Sequence, residues 1–216
     1  HELVKTKHPL LAMALNAGDS AQLRHTASAG GYIMQRTRCS YFYDINMPCN
    51  KRQPGTGCGA KEGYNRMHAI FGASSTCIAV HPSDMCVALA ALNATVNVSG
   101  VKGEKKISFA DFHRLPGDTP ELDNNLQTGE LITSIHIPAN RYNKSYYLKV
   151  RDRLSYAFAL VSVAVALEVT DGIIRSASIA MGGVAHKPWR LTEVEKYLIG
   201  KTTTVNLISF LAPRCV

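Results

Sequence analysis

Four cysteines gathered in one irregular stretch constrain this chain more than any other feature of its sequence. Cys39, Cys49, Cys58 and Cys77 fall within residues 36–83, which also hold three prolines and five glycines and show little apolar periodicity. Such a composition disfavours a regular helix or strand, and long loops inside a domain are usually functional. We therefore predict an ordered loop, inserted over about residues 36–80, that carries four thiols.

The four thiols allow three interpretations. Two disulfides would suit an even number of cysteines in an oxidising compartment, although a chain of 216 residues buries a core that does not need them. Structural zinc prefers C-x2-C pairs, whereas the spacings here are nine, eight and eighteen intervening residues. A [4Fe-4S] cluster needs four thiolates but no single fixed spacing. Spacing alone leaves all three interpretations open.

The rest of the sequence is typical of a folded protein. Apolar residues make up 46% and charged residues 19% of the chain, both within the globular range. The longest apolar run, residues 156–167, is interrupted by Ser162 and is shorter than the roughly 20 residues that a membrane helix needs. The net charge of +8 is scattered, without a basic block or a helix-turn-helix pattern. We therefore expect no nucleic acid and no membrane among its partners.

The residue pattern predicts an α+β fold in two portions. In the first portion, apolar periodicity predicts helices over residues 8–17 and 85–92, and a strand over 95–98. Ser83 or Asp84 would cap the second of these helices. Two adjacent glycines, Gly30 and Gly31, suit a backbone that must approach another group closely.

The second portion is expected to form an antiparallel sheet and a helix. Predicted strands cover residues 131–137, 145–150, 160–169 and 173–181, with a hairpin turn at Asp171-Gly172. Thr192 and Glu195 have the spacing of a capping box at the start of a helix that would stop at Gly200. We place one domain over residues 1–103, a second over 104–206 and an atypical tail over 207–216.

Several stretches together resemble the FAD-binding subunit of bacterial molybdenum aldehyde oxidoreductases, in the xanthine dehydrogenase superfamily. The stretches are residues 35–44 (QRTRCSYFYD), 48–52, 77–84 (CIAVHPSD), 149–160 and 182–190 (GGVAHKPWR). The resemblance is close to the periplasmic type and covers roughly residues 10–200. It implies an FAD-binding α/β portion followed by a portion with an antiparallel sheet.

The resemblance also implies site residues. The cysteine insertion is similar to one that holds an extra [4Fe-4S] cluster in some members, with Cys39, Cys49, Cys58 and Cys77 as ligands. The positions that match flavin contacts are Ser28, Gly31, Tyr32, Asp84, Ile132 and Lys149. Tyr32 stands where the family usually has Asn, and so lacks an amide that both donates and accepts hydrogen bonds. From its residue type alone, Lys149 would be a solvated strand residue.

The function implied is electron relay. In the complete enzyme, a molybdenum-cofactor large subunit oxidises an aldehyde to a carboxylic acid, and a [2Fe-2S] small subunit passes the electrons to FAD, which reduces an external acceptor. The resemblance implies a heterotrimer that reaches the periplasm with a partner's signal. We expect no catalytic residue in this chain, which has neither an H-E-x-x-H nor a G-x-S-x-G pattern.

Two features of the chain's ends favour a shortened product. The family's first flavin motif would lie upstream of His1, and residues 207–216 do not resemble the family's C-terminal helices. The alternatives are therefore an inactive truncated product, or a non-enzymatic module that zinc or a cluster stabilises and that binds a partner protein.

Overall fold

The structure, a computed structural model, describes residues 1–154 and 156–203. Its helices are α1 (Glu2–Lys7), α2 (Pro9–Ala17), α3 (Ala21–Thr26), α4 (Ala29–Ile33), α5 (Ser40–Tyr43), α6 (Gly59–Glu62), α7 (Asp84–Ala91), α8 (Phe109–Phe112) and α9 (Thr192–Leu198). Its strands are β1 (Thr95–Gly100), β2 (Gly103–Ser108), β3 (Leu131–His136), β4 (Lys144–Val150), β5 (Val161–Thr170), β6 (Ile173–Gly182) and β7 (Trp189–Arg190). The α+β fold predicted from the sequence is confirmed.

The strands form two antiparallel sheets. The first has the order β2-β1-β3 and the second the order β4-β5-β6-β7. The hairpin predicted at Asp171-Gly172 joins β5 to β6, and both of its residues have positive φ. Strand β3, expected in the second sheet, pairs instead with β1. Because β1 and β2 form one ladder across residues 100–103, the predicted boundary at residue 103 lies inside a hairpin.

Helix α7 lies at the centre of the core and connects the two portions. All eight of its residues are buried, and it packs against α2 on one side and against β5 and β6 on the other. Small residues at the contact, including Ala88, Ala164 and Ala180, are fully buried, which allows the helix to approach the sheet closely. The Ser83 hydroxyl accepts a hydrogen bond from the Cys86 N–H at 3.4 Å, so the predicted cap by Ser83 is confirmed.

The predicted capping box at α9 is wrong. Leu191 is the N-cap residue, and no side chain caps the helix. The Glu195 carboxylate instead accepts from the Ile179 N–H at 2.7 Å and from the Arg190 guanidinium at 2.8 Å. A tertiary ion pair has therefore displaced the local motif. The predicted stop is correct, because Gly200 follows the helix with a φ of 82°.

The cysteine loop is ordered, as predicted, by hydrogen bonds to backbone carbonyls. The Arg52 guanidinium donates to the carbonyls of Tyr41 at 2.9 Å and Phe42 at 2.8 Å. The backbone N–H groups of Ile70 and Phe71 both donate to the Val184 carbonyl beyond the end of β6. These bonds fix the loop against the second sheet.

Among the residues that the structure describes, no helix has the length and apolar character needed to cross a bilayer. The predicted tail over residues 207–216, and Cys215 within it, lie outside the described residues.

Candidate cofactor groove and cysteine cavity

A long groove crosses the molecule at the N-terminal end of α7. It consists of two adjoining cavities of about 440 and 320 Å³. The first is bordered by the ends of α2 and α4 and by β4, and the second extends toward the cysteine loop. The residues that line both cavities are Arg38, Met67, Pro82, Ser83, Asp84 and Phe158. A groove of this size is ample for a large organic cofactor.

A buried ion pair lies in the wall of the groove. The Lys149 ammonium donates to the Asp84 carboxylate at 2.7 Å and to the Ala17 carbonyl at 3.1 Å. The Tyr147 hydroxyl donates to the other Asp84 oxygen at 2.6 Å, and burial, followed by the Asp84 charge, raises the Tyr147 pKa. Only 5% of the Lys149 side chain and 9% of the Asp84 side chain are exposed. The solvated Lys149 expected from residue type alone is therefore wrong.

The other predicted flavin-contact residues divide into two groups. Tyr32 lines the groove, and its hydroxyl donates to Asp19 at 2.9 Å; burial and this hydrogen bond raise its pKa to about 12. Ser28 caps α4 by accepting from the Gly31 N–H at 3.0 Å, and Ile132 lies in β3, opposite Val98 of β1. The structure thus brings Tyr32, Asp84 and Lys149 together at the groove, whereas the described groove walls do not include the other three.

The four loop cysteines line one small cavity next to the groove. Cys39, Cys49, Cys58 and Cys77 all contribute to its wall, and all four are free thiols. Cys49 and Cys58 lie opposite each other in an isolated antiparallel bridge. Burial raises the pKa of Cys39, and it raises that of Cys77 to about 11.

Nearby backbone N–H groups affect two of these thiols. Those of Phe42 and Tyr41 lower the pKa of Cys39, the N-cap residue of α5, and that of Ala79 lowers the pKa of Cys77. Both interactions oppose the effect of burial, because a donor stabilises a thiolate. A cavity with four free thiols and backbone donors at its sulfurs has the donor set of a soft metal centre.

The groove and the cysteine cavity share a wall. Thr37 and Cys39 line both, and the Nε2 atom of His68, which also lines the groove, lies 3.2 Å from the Cys39 sulfur. A cofactor in the groove would therefore lie next to a metal centre in the cavity.

A buried positive charge lies beside the cavity, and no sequence signal identified it. Lys51, only 3% exposed, lines the cavity, and its ammonium donates to the Pro120 carbonyl at 2.7 Å and contacts Asp123 at 2.5 Å. Its charge lowers the pKa of Cys77 against the effect of burial. The partners of Lys51 are about seventy residues away in sequence and are invisible to local pattern analysis.

Three buried histidines were also not predicted as a group. Burial lowers the pKa of His81, lowers that of His113 to about 4 and lowers that of His186 to about 3. The ligand atoms of His81, His113 and Cys86 lie within 4.8 Å of one another. His81 Nδ1 accepts from the Ser83 N–H at 3.3 Å, and His113 Nε2 lies 2.9 Å from the Ile33 carbonyl. These contacts give His81 and His113 structural roles in the core.

The fold, a groove large enough for an organic cofactor and an adjoining cavity of four thiols define the chain as a cofactor-binding module. Comparison with known families then assigns it: residues 1–140 match the FAD binding domain in molybdopterin dehydrogenase, and residues 145–213 match the CO dehydrogenase flavoprotein C-terminal domain. The chain belongs to this FAD-binding family, within the xanthine dehydrogenase superfamily, as the sequence resemblance predicted. The family confirms FAD as the cofactor. The two matches divide the chain near residues 140–145, after β3.

Individual relatives agree with this assignment. The aldehyde oxidoreductase FAD-binding subunit PaoB of Escherichia coli is 50% identical over 92% of this chain and 61% of that protein. The glyceraldehyde dehydrogenase medium chain of Sulfolobus acidocaldarius is 39% identical over 68% of this chain and 50% of that protein. The chain therefore spans about three fifths or less of the length of these relatives.

A solved structure shows the same fold. The Cu,Mo-CO dehydrogenase in its cyanide-inactivated form superposes with a TM-score of 0.69 at 18% identity, covering 99% of this chain and 58% of that one. At this identity the similarity concerns the fold alone.

Proposed function

We propose that this chain is the FAD-binding, electron-transfer subunit of a molybdenum aldehyde oxidoreductase, and that Cys39, Cys49, Cys58 and Cys77 hold a [4Fe-4S] cluster in it. The observation that carries the proposal is the shared wall between the groove and a cavity lined by four free thiols. Two redox centres placed side by side suit electron transfer and need no acid or base from the chain.

The groove residues fit a flavin. When bound, FAD would accept electrons singly from a one-electron donor and could release them one or two at a time. Asp84 and Lys149 are held rigidly by their mutual ion pair, so that a fixed pair of opposite charges would lie beside the cofactor. Met67, Pro82 and Phe158 give the groove apolar surface that would exclude water from the ring. From the resemblance, Ser28, Gly31, Tyr32 and Ile132 would complete the contacts.

The spacing of the sulfur atoms favours a cluster over zinc. Within the described part of the chain, the group of three or more ligand atoms that lie within 4.8 Å of one another is His81, Cys86 and His113, so no three loop sulfurs are that close. Tetrahedral zinc with Zn–S bonds of about 2.3 Å places its sulfurs about 3.8 Å apart. A four-iron cluster lies between its ligands and holds them farther apart.

The residues around the cavity would stabilise the cluster's negative charge. Four thiolates add more charge than the iron and sulfide core offsets, and Lys51 and the backbone donors at Cys39 and Cys77 oppose this excess. When bound, the cluster would supply a further one-electron centre. Tyr41 and Phe42 lie in the cavity wall and would limit the access of water.

The proposed partners follow from the family. A molybdenum-cofactor large subunit would oxidise the aldehyde, a [2Fe-2S] small subunit would deliver electrons to FAD in this chain, and an external acceptor would receive them. We also propose that this heterotrimer works in the periplasm and is exported on a partner's signal, after the thiolates have been loaded under reducing conditions.

Metal and sulfide analysis with a matched pair of variants tests the cluster. The full chain, purified without oxygen, should contain about four iron and four acid-labile sulfide per chain. Cys58→Ser should lose most of the iron and sulfide, because it removes one ligand. Cys86→Ser should keep its iron and sulfide. Cys86 is a free thiol like Cys58, but it lies in the core and not in the cavity wall.

Three results would contradict the proposal. Stoichiometric zinc without sulfide would favour the alternative of a zinc-stabilised binding module. Full iron content in Cys58→Ser would show that the ligand set is wrong. Absence of FAD from the assembled complex would contradict the flavin assignment whatever the metal content.

A further inference from the structure

His68 has a place in the molecule that the electron-transfer role alone does not explain. Its ring lines the groove on the side of the cysteine loop, and its Nε2 atom is 3.2 Å from the Cys39 sulfur. The Tyr41 ring lies beside it, 6.4 Å away between centroids. The His68 N–H donates to the Asn65 carbonyl at 3.0 Å, and the next N–H, of Ala69, donates to Ile78 at 2.8 Å. These backbone bonds hold the ring against Cys39.

The chemistry of a metal-bound cysteine determines the direction of this hydrogen bond. A thiolate ligand has no proton and can only accept. The imidazole must therefore carry its proton on Nε2, which leaves Nδ1 as the acceptor. In the described contacts, Nδ1 is buried without a hydrogen-bond partner, so no backbone N–H fixes it as the acceptor, and the nearby Asn65 backbone forms no hydrogen bond with it.

We infer that His68 is a positioning residue that donates a hydrogen bond from Nε2 to the Cys39 thiolate and thereby raises the reduction potential of the proposed cluster. The inference rests on the proposed function. Reduction adds negative charge to the cluster and its sulfur ligands, and a donor at a ligand sulfur stabilises the reduced form more than the oxidised form. Removal of the donor should therefore lower the potential.

The location of Cys39 makes this hydrogen bond relevant to transfer between the two centres. Cys39 lines both the groove and the cavity, so it would hold the cluster at the wall shared with the flavin site. A change in the charge of the Cys39 sulfur would alter the difference in reduction potential between cluster and flavin. This difference sets the direction in which electron transfer between them is favourable.

Two substitutions separate the hydrogen bond from the space that the ring fills. His68→Phe keeps an aromatic ring but removes the donor. His68→Gln places an amide N–H near the position of Nε2 and keeps the donor. Tyr64→Phe is the control, because Tyr64 lines the same part of the groove and loses only a hydroxyl group there.

The measurement is the midpoint potential of the cluster in the assembled complex, from a redox titration followed by electron paramagnetic resonance, together with iron, sulfide and FAD contents. His68→Phe should keep its cofactors and titrate at a more negative potential than wild type, whereas His68→Gln and Tyr64→Phe should remain close to wild type. Loss of iron from His68→Phe but not from His68→Gln would also support the inference, because the donor would then be needed to hold Cys39.

Other outcomes would overturn the inference about His68. An unchanged potential in a fully loaded His68→Phe protein, or equal shifts or equal iron loss in the Phe and Gln variants, would show that the hydrogen bond does not set the potential. In either case the wild-type iron and sulfide would still support the proposed function. Wild-type complex with FAD but without iron and sulfide would instead overturn the cluster itself and this inference with it.

Discussion

Breaking the buried Lys149–Asp84 ion pair should destabilise the fold far more than breaking an exposed pair. The substitution is Lys149→Met, which keeps the volume of the side chain and removes its charge. It leaves the Asp84 carboxylate, 9% exposed, with the Tyr147 hydroxyl at 2.6 Å as its remaining side-chain donor. It also removes the donor to the Ala17 carbonyl.

The magnitude follows from burial. Removing one partner of a buried ion pair costs about 3–5 kcal/mol, and the retained Tyr147 hydrogen bond places this case near about 3 kcal/mol. With a urea m-value of about 2 kcal/mol/M, the unfolding midpoint should fall by roughly 1.5 M. Fluorescence of Trp189, the single tryptophan, reports the transition because this residue lies in β7 and stacks on Phe71.

The matched control is Arg66→Met. Arg66 forms a bidentate ion pair with Asp152, with both N–O distances at 3.0 Å. Because about half of each side chain is exposed, loss of this ion pair should change the urea midpoint little. The double variant Asp84→Asn, Lys149→Met should be more stable than Lys149→Met, because no uncompensated buried charge remains. A midpoint shift in Lys149→Met no larger than that in Arg66→Met would refute the reasoning.

Three further predictions concern stability. The folded-state pKa of His113 is lowered from 6.5 to about 4, so its contribution to stability is fully present above pH 6.5 and is lost as the pH falls toward 4. The free energy of unfolding should therefore drop by about 3 kcal/mol from this group between pH 7 and 4. His113→Gln should show a smaller drop, and equal slopes for the two proteins would contradict the prediction. Gly182→Ala should cost about 1–3 kcal/mol in urea unfolding, because the added methyl group would meet Val87 and, at 2.6 Å, the Ser162 hydroxyl. Gly30→Ala, in α4 with open space around it, should instead gain up to about 1 kcal/mol; equal effects of the two glycine substitutions would be inconsistent with the packing described.

Sequence patterns predicted correctly the elements that are determined by residues close together in the chain. Alternation of apolar residues located β5 and β6, and Asp171-Gly172 located the turn between them, because a tight hairpin needs residues that accept positive φ. Ser83 was identified as a cap because the cap and its helix are adjacent in sequence. The cysteine loop was identified from its composition.

Features that depend on distant partners were not predictable in the same way. Lys149 looks like a solvated strand residue until Asp84, 65 positions earlier, is placed beside it. Glu195 has the spacing of a capping residue, but the Ile179 N–H and Arg190 compete for its carboxylate. Strand β2 has the sequence GEKKIS, whose charges hide its pattern but suit an edge strand.

The most direct test of the central claim is anomalous X-ray diffraction at the iron absorption edge from crystals of the assembled complex. The account predicts a compact iron peak enclosed by Cys39, Cys49, Cys58 and Cys77, next to flavin density in the groove lined by Asp84 and Lys149. A peak between these sulfurs at the zinc edge alone, or flavin density with no metal among the four cysteines, would contradict it.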